Sequence, residues 1–169
     1  MSQGRVACIG SRTLGPSELE LCRAIGRYLA TKGYTISTGN ARGADQAYGA
    51  GGNEIDPRLV ELHLPWPGYE VGSILAGNRV IVDGGVEEYS KIAAGLHSRW
   101  NSLGRGPRAL HTRNVGIVQG CSQVVAWPGP STWGGGTGLG MKVGSHFGIR
   151  VVDLSKAEDR ARVVSLLER

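Results

Sequence analysis

The chain has 169 residues, a length typical of one domain. Glycine is the outlier in the composition, because 28 of the 169 residues are glycine, more than twice the average share of ~7%. Hydrophobic residues make up 40% of the chain, which argues against disorder, and no collagen-like period is present. The glycines cluster in residues 39–52, 68–85 and 129–148, as in loops that need positive φ or approach a ligand closely.

The formal net charge is +5, and 15 of the 19 basic residues are arginine. This balance favours anionic partners such as phosphates, nucleotides or nucleic acid, because the arginine side chain forks onto phosphate with fixed geometry. The cysteines Cys8, Cys22 and Cys121 are odd in number and lack CxxC spacing, which argues against a disulfide framework or a zinc site. We find neither an apolar run long enough to span a membrane nor a signal-peptide pattern, and we expect a cytoplasmic protein without a membrane partner.

Short apolar runs alternate with helical patterns along the chain. The predicted strands cover residues 5–9, 34–38, 60–64, 123–127 and 149–153, with a further short strand at 80–82. The predicted helices run from Pro16 to the glycine stop at Gly33, from about Ala44, and over about 86–103, 111–120, 137–147 and 156–168. This order predicts an α/β fold: one Rossmann-like doubly wound parallel sheet of about five strands with helices on both faces.

We expect residues 1–169 to form a single Rossmann-like domain, with a helical insertion at about 70–110. Within that insertion, apolar residues from Val86 to Leu103 step by three and four, which predicts one amphipathic helix over 86–103. Its apolar seam fits either ordinary core packing or the contact surface of a dimer.

Three glycine-containing loops follow the first, second and fourth main strands. In an open parallel sheet, ligands bind beyond the carboxyl ends of the strands, and these loops meet at that edge. Glycine lets backbone N–H groups approach a phosphate, a helix N-terminus adds a positive dipole end, and arginine adds charge-assisted hydrogen bonds. The candidate phosphate- or nucleotide-binding residues from these loops are Gly10, Ser11, Arg12, Gly39, Asn40, Arg42, Gly43, Asp45, Trp133, Gly134, Gly135, Gly136 and Thr137.

Known catalytic and phosphate-binding patterns are missing from the sequence. It contains no GxGxxG, Walker, GxSxG or zinc-deaminase pattern, and we expect no metal site. Asp45 fits either a catalytic base or a helix cap. His111 and His146 fit either the site or the polar surface. The tryptophans beside proline-glycine loops, Trp133 above all, fit either base stacking or packing at the edge of the core.

Residues 37–45 read STGNARGAD and resemble the SGxARGxD motif of the DNA processing protein A (DprA/Smf) family, within the SLOG superfamily. Arg113 and Asn114, followed by a helix and a strand, resemble the RN segment of that family, and Gly135-Gly136-Thr137 resembles its last loop. Small phage-encoded members are most similar, since residues 64–66 read LPW and residues 111–114 read HTRN. The resemblance covers most of the chain except 70–105.

The resemblance implies a domain that binds a nucleotide or nucleic acid and forms a homodimer or higher homo-oligomer, with Arg113 and Asn114 added to the site. In relatives of DNA processing protein A this edge is implicated in single-stranded DNA binding. In LOG-type relatives it binds a nucleoside monophosphate and hydrolyses the N-glycosidic bond with a glutamate. In this chain Gly140 stands where that glutamate is expected, which favours binding without catalysis.

Three functions therefore stay open. The first is a non-catalytic protein that binds a nucleotide or a nucleotide-derived signal and uses no other cofactor. A phage protein in an infected cell would be one such binder. The second is a single-stranded DNA-binding, DNA-processing protein whose groove is formed by Arg105, Arg108 and Arg113. The third is a LOG-type hydrolase with an unusual acid, for which Asp45 is the candidate.

Overall fold

A computed structural model describes residues 2–130 and 135–169. Its centre is one sheet of six parallel strands in the order β4-β3-β2-β1-β5-β6. The strands are β1 (Arg5–Gly10), β2 (Thr35–Thr38), β3 (Val60–Leu64), β4 (Arg79–Val82), β5 (Gln123–Trp127) and β6 (Arg150–Asp153). The sixth strand beyond the predicted five is β4, the short strand expected at 80–82, and the predicted α/β Rossmann-like architecture is confirmed.

Six helices cover the two faces of the sheet: α1 (Pro16–Thr31), α2 (Ala44–Ile55), α3 (Glu87–Leu96), α4 (Arg105–Val118), α5 (Gly136–His146) and α6 (Ala157–Leu167). Short 3-10 turns lie at Pro57–Leu59, Val71–Ser73 and Trp100–Ser102. One core cluster packs α1, α2 and α6 on one face of the sheet, and a second packs α3, α4 and α5 on the other. The chain changes face between β4 and β5, so the crevice between β1 and β5 is the switch point where ligands bind in such sheets.

The segment between β4 and β5 differs from the sequence prediction. The single helix predicted over 86–103 is wrong, because α3 ends at Leu96 and His97 is extended. Helix α4 begins at Arg105, six residues before the predicted start of the 111–120 helix. Trp100 packs on the same core cluster as Leu96, so the three-and-four spacing continues although the backbone has left the helix. Ala93 is buried and Tyr89, Leu96 and Trp100 pack against the same cluster, so this part of the apolar seam serves core packing.

Helix α4 begins at Arg105 rather than at residue 111, directly after Gly104, whose extended backbone ends the irregular connection from α3. Its first turn carries Pro107, which suits a helix start because the missing N–H is one that has no partner within the helix. The earlier start gives α4 14 residues and lays it across the sheet beside α3 and α5. No helix in residues 2–130 and 135–169 is long and apolar enough to cross a membrane.

Glycines in the first cluster serve helix packing as well as loops. A Cβ on Gly26 of α1 would lie 2.0 Å from the carbonyl oxygen of Tyr48, and one on Gly51 of α2 would lie 1.9 Å from that of Arg23. The two helices therefore touch backbone to backbone, which no larger residue permits at these positions. Part of the glycine excess is explained by this contact rather than by a ligand.

A buried polar network lies between α4 and the sheet. His63 on β3 donates from Nδ1 to Asp83 Oδ2 at 2.7 Å and from Nε2 to Glu61 Oε1 at 2.8 Å. Arg5 on β1 donates to the same Glu61 oxygen at 2.6 Å. The mutual pairing offsets the cost of removing these charges from water. Gly116 of α4 makes room for the network, because a Cβ there would lie 1.9 Å from Asp83 Oδ2.

The network shifts the pKa values of two of its members. Burial by itself raises the pKa of Glu61, but the hydrogen bond from His63 and the charge of Arg5 outweigh burial and hold that pKa at about 2. Burial by itself lowers the pKa of His63, but the hydrogen bonds to Asp83 and Glu61 outweigh burial and raise it above its ordinary value. The raised pKa favours the charged form of His63, which can donate to Asp83 and Glu61 at once.

We expect Gly116→Ala to lower the free energy of unfolding by about 2 kcal/mol, because the methyl group overlaps the Asp83 carboxylate. The matched control is Gly106→Ala in the first turn of the same helix, where a Cβ meets nothing within 4 Å. That change should leave stability unaltered or raise it by about 0.5–1 kcal/mol through helix propensity. Urea unfolding of both variants measures the difference, and equal stabilities would contradict the packing role of Gly116.

The network also predicts how stability changes with pH. Because the pKa of Glu61 is lowered in the fold, its contribution is present above its unfolded pKa of about 4.3 and is lost as the pH falls towards 2. Because the pKa of His63 is raised, its contribution is present below about 6.5 and is lost as the pH rises through the higher folded value. In urea unfolding, the advantage of wild type over His63→Gln should therefore shrink at alkaline pH. An advantage that grows with pH would contradict the charged imidazolium.

Candidate functional site

A cleft of about 280 Å³ opens at the carboxyl ends of β1 and β5, at the switch point of the sheet. Its walls come from the loop after β1, the start of α2, one face of α4, the loop after β5 and the first turn of α5. The predicted site residues that line it are Gly10, Ser11, Arg12, Asp45, Arg113, Asn114, Gly135, Gly136 and Thr137. In the fold, these residues meet in one cleft although their loops are far apart in the chain. Trp133 and Gly134, also predicted, lie outside the described residues.

Four other predicted residues shape the loops from outside the cleft. Asn40, with φ of 59°, donates from Nδ2 to the Glu70 carbonyl at 3.0 Å and accepts from Ser73 at 2.7 Å. Gly43, with φ of 89°, passes so close to Arg12 that a Cβ would lie 2.7 Å from the Arg12 Cα. Neither of these two residues lines the cleft, and the same holds for Gly39 and Arg42.

The reasons differ for Gly39 and Arg42. A Cβ on Gly39 would lie 2.8 Å from both Asp45 Oδ2 and Arg113 Nη1, so glycine is needed to let those two side chains in. Arg42 points its exposed side chain to Glu70, with Nε 3.2 Å from Oε1. All four residues were predicted because they belong to the loop after β2. Membership of a loop does not tell which of its residues stabilise the loop and which face the cleft.

Asp45 ties two of the cleft loops together. Its Oδ1 accepts from the backbone N–H of Gly10 at 3.2 Å, and its Oδ2 accepts from that of Ala41 at 3.4 Å. Burial raises the pKa of this carboxyl to about 6, against the charge of Arg113 and the amide hydrogen bonds, which lower it. The side chain is 5% exposed, and its bonds to two loops match a loop-bridging role better than a simple helix cap.

Arg113 is buried, with 3% of its surface exposed. Its Nη1 donates to the carbonyl oxygens of Gly39 at 2.5 Å and His63 at 3.0 Å, and its guanidinium lies over the Tyr69 ring at 5.4 Å. Burial lowers the pKa of Arg113, and the nearby carboxylate of Asp45 opposes this change. The side chain anchors the ends of β2 and β3, so its hydrogen bonds are used within the fold.

The first turn of α5 offers backbone amides to the cleft. Gly135 is the extended residue before the helix, and no side chain caps this end of α5 among the described residues. The first N–H groups of a helix have no partner within it, and the dipole makes this end positive. Asn114 of α4 fixes the position of the turn by donating from Nδ2 to the Gly136 carbonyl at 3.0 Å. This arrangement suits an anion.

The loop after β1 forms the opposite wall. Ser11 Oγ accepts from the backbone N–H of Thr13 at 3.1 Å, which folds the loop into a tight turn. Gly129, after β5, packs closely against that hydroxyl, since a Cβ there would lie 3.0 Å from Ser11 Oγ. Arg12 lines the cleft with an exposed side chain that reaches Tyr69 at 3.4 Å. Arg12 is therefore the cation of this loop that is placed to meet a ligand.

His111, which the sequence left open between the site and the polar surface, lines the cleft. It is 8% exposed, its ring lies 4.6 Å from the ring of His97, and its Nδ1 has no hydrogen-bond partner among the described residues. Burial, His97 and Arg113 lower the pKa of His111 to about 4. The signal in the sequence was the spacing of Pro107, His111 and Asn114, which share a face once α4 begins at Arg105.

The other aromatic and histidine candidates lie elsewhere. His146 is at the far end of α5, against Phe147. Trp127 packs in the core, and Trp66 meets Tyr69 edge to face. Gly140 is buried inside α5, and a Cβ there would lie 2.5 Å from Ile9 Cδ1, so a larger residue at this position would require the end of the Ile9 side chain to move.

Comparison with known proteins identifies the fold. No protein-family profile matches the chain, and a search of the curated proteins finds no match. Among solved structures, DNA processing protein A from Helicobacter pylori, described as binding single-stranded DNA, matches with a TM-score of 0.64 and 12% identity over 99% of this chain and 81% of that one. The Moco carrier protein of Chlamydomonas rheinhardtii matches with a TM-score of 0.55 and 18% identity over 96% of this chain and 83% of that one. The chain therefore has the same Rossmann-like fold as these two proteins, in line with the fold that the resemblance in the sequence implied.

Proposed function

We propose that this chain binds a nucleotide, or a small molecule derived from one, in the cleft and does not transform it. The observation that carries the proposal is the convergence of the first turn of α5, the glycine loop after β1 and Arg12 on one cleft. Unpaired amides, a helix dipole and an arginine are what a phosphate group requires. The net charge of +5 adds a general attraction for such a ligand.

The cleft also suits the uncharged part of a nucleotide. Its volume of about 280 Å³ is close to the lower end of the range for small-molecule sites. Ile9, Pro107 and Leu110 give it apolar walls beside the polar backbone of α5. A base or sugar packed on these residues would leave the phosphate free to reach the amides of the helix.

Binding without catalysis follows from how the acidic groups are used. Asp45 is the carboxylate among the described cleft residues, and both of its oxygens accept hydrogen bonds from backbone amides. Position 140, where a LOG-type acid is expected, is a glycine packed against Ile9 and supplies no acid. A hydrolase would need a positioned acid at the glycosidic bond.

The test uses thermal shift and native mass spectrometry with nucleoside 5′-monophosphates and diphosphates. We expect at least one of them to bind, and Arg12→Gln to weaken its binding about tenfold, the size of a lost charge-assisted hydrogen bond. The matched control is Arg42→Gln, because Arg42 is exposed on the next loop but pairs with Glu70 outside the cleft. No binding to any nucleotide would refute the proposal, and equal losses in the two variants would remove Arg12 from the site.

A second candidate function is single-stranded DNA binding. Arg105 and Arg108 of α4 line a separate, open cavity of about 460 Å³, where Arg108 lies over the Trp100 ring at 5.4 Å. Cations beside an aromatic ring suit a single strand. The groove predicted from Arg105, Arg108 and Arg113 needs correction, however, because Arg113 is buried on the same helix and does not line this cavity.

A salt titration tests this second function. If a single strand follows Arg105 and Arg108, the logarithm of affinity for oligo-dT should fall steeply with the logarithm of salt concentration. The double variant Arg105→Gln/Arg108→Gln should reduce the slope by about 1.4, which corresponds to two phosphates at ~0.7 each. A flat salt dependence for the unaltered protein, or an unchanged slope in the double variant, would count against DNA binding at this surface.

A further inference from the structure

We propose that His111 recognises a dianionic group, the terminal phosphate of a nucleotide, held at the first turn of α5, and that its ring takes up a proton when the ligand binds. This inference rests on the proposed function of the cleft. It adds the residue that selects the charge of the ligand, and it distinguishes a terminal phosphate monoester from the singly charged phosphodiester of a DNA backbone.

His111 combines deep burial with a ring nitrogen that lacks a hydrogen-bond partner among the described residues. It lines the cleft while being more than nine-tenths buried, and its Nδ1 has no hydrogen-bond partner within residues 2–130 and 135–169. A buried polar atom without a partner costs free energy, and a ligand that supplies the partner recovers it. One turn further along α4, Asn114 holds the Gly136 carbonyl, which sets the first turn of α5 beside this face of the helix.

The groups that face His111 come from every element around it. The His97 ring lies 4.6 Å away from the segment after α3, Arg113 is on the same helix, and Arg12 and Asp45 line the cleft from the loop after β1 and from α2. The described first turn of α5 brings only glycines and Thr137, with the positive end of its dipole.

The surroundings of His111 favour the neutral form of its ring. Burial and the neighbouring His97 and Arg113 all disfavour the imidazolium, and the pKa of His111 is about 4. A dianion in the cleft reverses this balance, because an opposite charge nearby favours the charged form. The proton comes from solvent, and the ring then donates to a ligand oxygen. A second negative charge on the ligand strengthens both this bond and the interaction with the helix dipole.

Sulfate is the probe, because it remains a dianion over the whole range from about pH 5 to pH 8, so that any pH dependence belongs to the protein. We expect sulfate to raise the pKa of His111 by at least about one unit, followed by NMR of histidine-labelled protein, a change equivalent to tenfold in affinity. The amide resonances of Gly136 and Thr137 should shift in the same titration. Methyl sulfate, which carries a single charge as a phosphodiester does, should shift the pKa of His111 less.

Asp45 also lines the cleft, and burial raises its pKa to about 6, so its protonation strengthens anion binding in the same direction. His111→Gln separates the two groups, because this variant retains Asp45. The rise in sulfate affinity between about pH 8 and pH 5 should be about twofold smaller in His111→Gln than in the unaltered protein, because a pKa raised from about 4 to about 5 leaves the ring half protonated at pH 5. His146→Gln, at the far end of α5, is the matched control and should behave like the unaltered protein.

Two results would overturn the inference, and they are distinguishable. If the amides of Gly136 and Thr137 shift with sulfate while the pKa of His111 stays constant, the anion site stands and His111 has no part in it. If neither the amides nor His111 respond to sulfate, the anion site fails and the proposed function fails with it. A pKa that rises equally with methyl sulfate would refute the selection for a dianion.

Discussion

The cleft depends on one buried pair of charges, Arg113 and Asp45. Arg113 donates to the carbonyl oxygens of Gly39 and His63 and so fixes the ends of β2 and β3. Asp45 accepts from the amides of Gly10, at the end of β1, and of Ala41, after β2. Each charge lowers the cost of burying the other, and the backbone groups supply the remaining hydrogen bonds. Without this pair the carboxyl ends of the central strands would present unpaired backbone groups instead of a shaped site.

The glycines have two structural roles, one in the loops of the cleft and one in the packing of the helices. In the loops, Gly39 admits the Arg113 and Asp45 side chains, and Gly43 lets the chain turn with positive φ against the loop after β1. In the helices, Gly26 and Gly116 allow backbone or carboxylate to approach where any side chain would collide. The same residue type thus builds the site and brings the helices close enough to the sheet to support it.

Helix α4 connects the structural chemistry with the candidate site. Gly116, near its end, covers the Glu61–His63–Asp83 network, and Arg113 anchors the strand ends. Nearer its start, His111 lines the cleft, and its buried Nδ1 has no hydrogen-bond partner among the described residues. Buried polar groups elsewhere on this helix are paired, so the exception stands at the place where a ligand can pair it.

The sequence by itself determined the order of strands and helices and the edge of the sheet where the glycine loops meet, because hydrophobic periodicity and turn residues are local properties. The structure places Asp45, Asn114 and the start of α5 at one cleft on that edge. Only the tertiary structure decided the end of α3 at Leu96, the internal role of Arg113 and the presence of His111 in the cleft. Those features depend on contacts between distant parts of the chain, such as Arg113 with Gly39, 74 residues away, which no local pattern encodes.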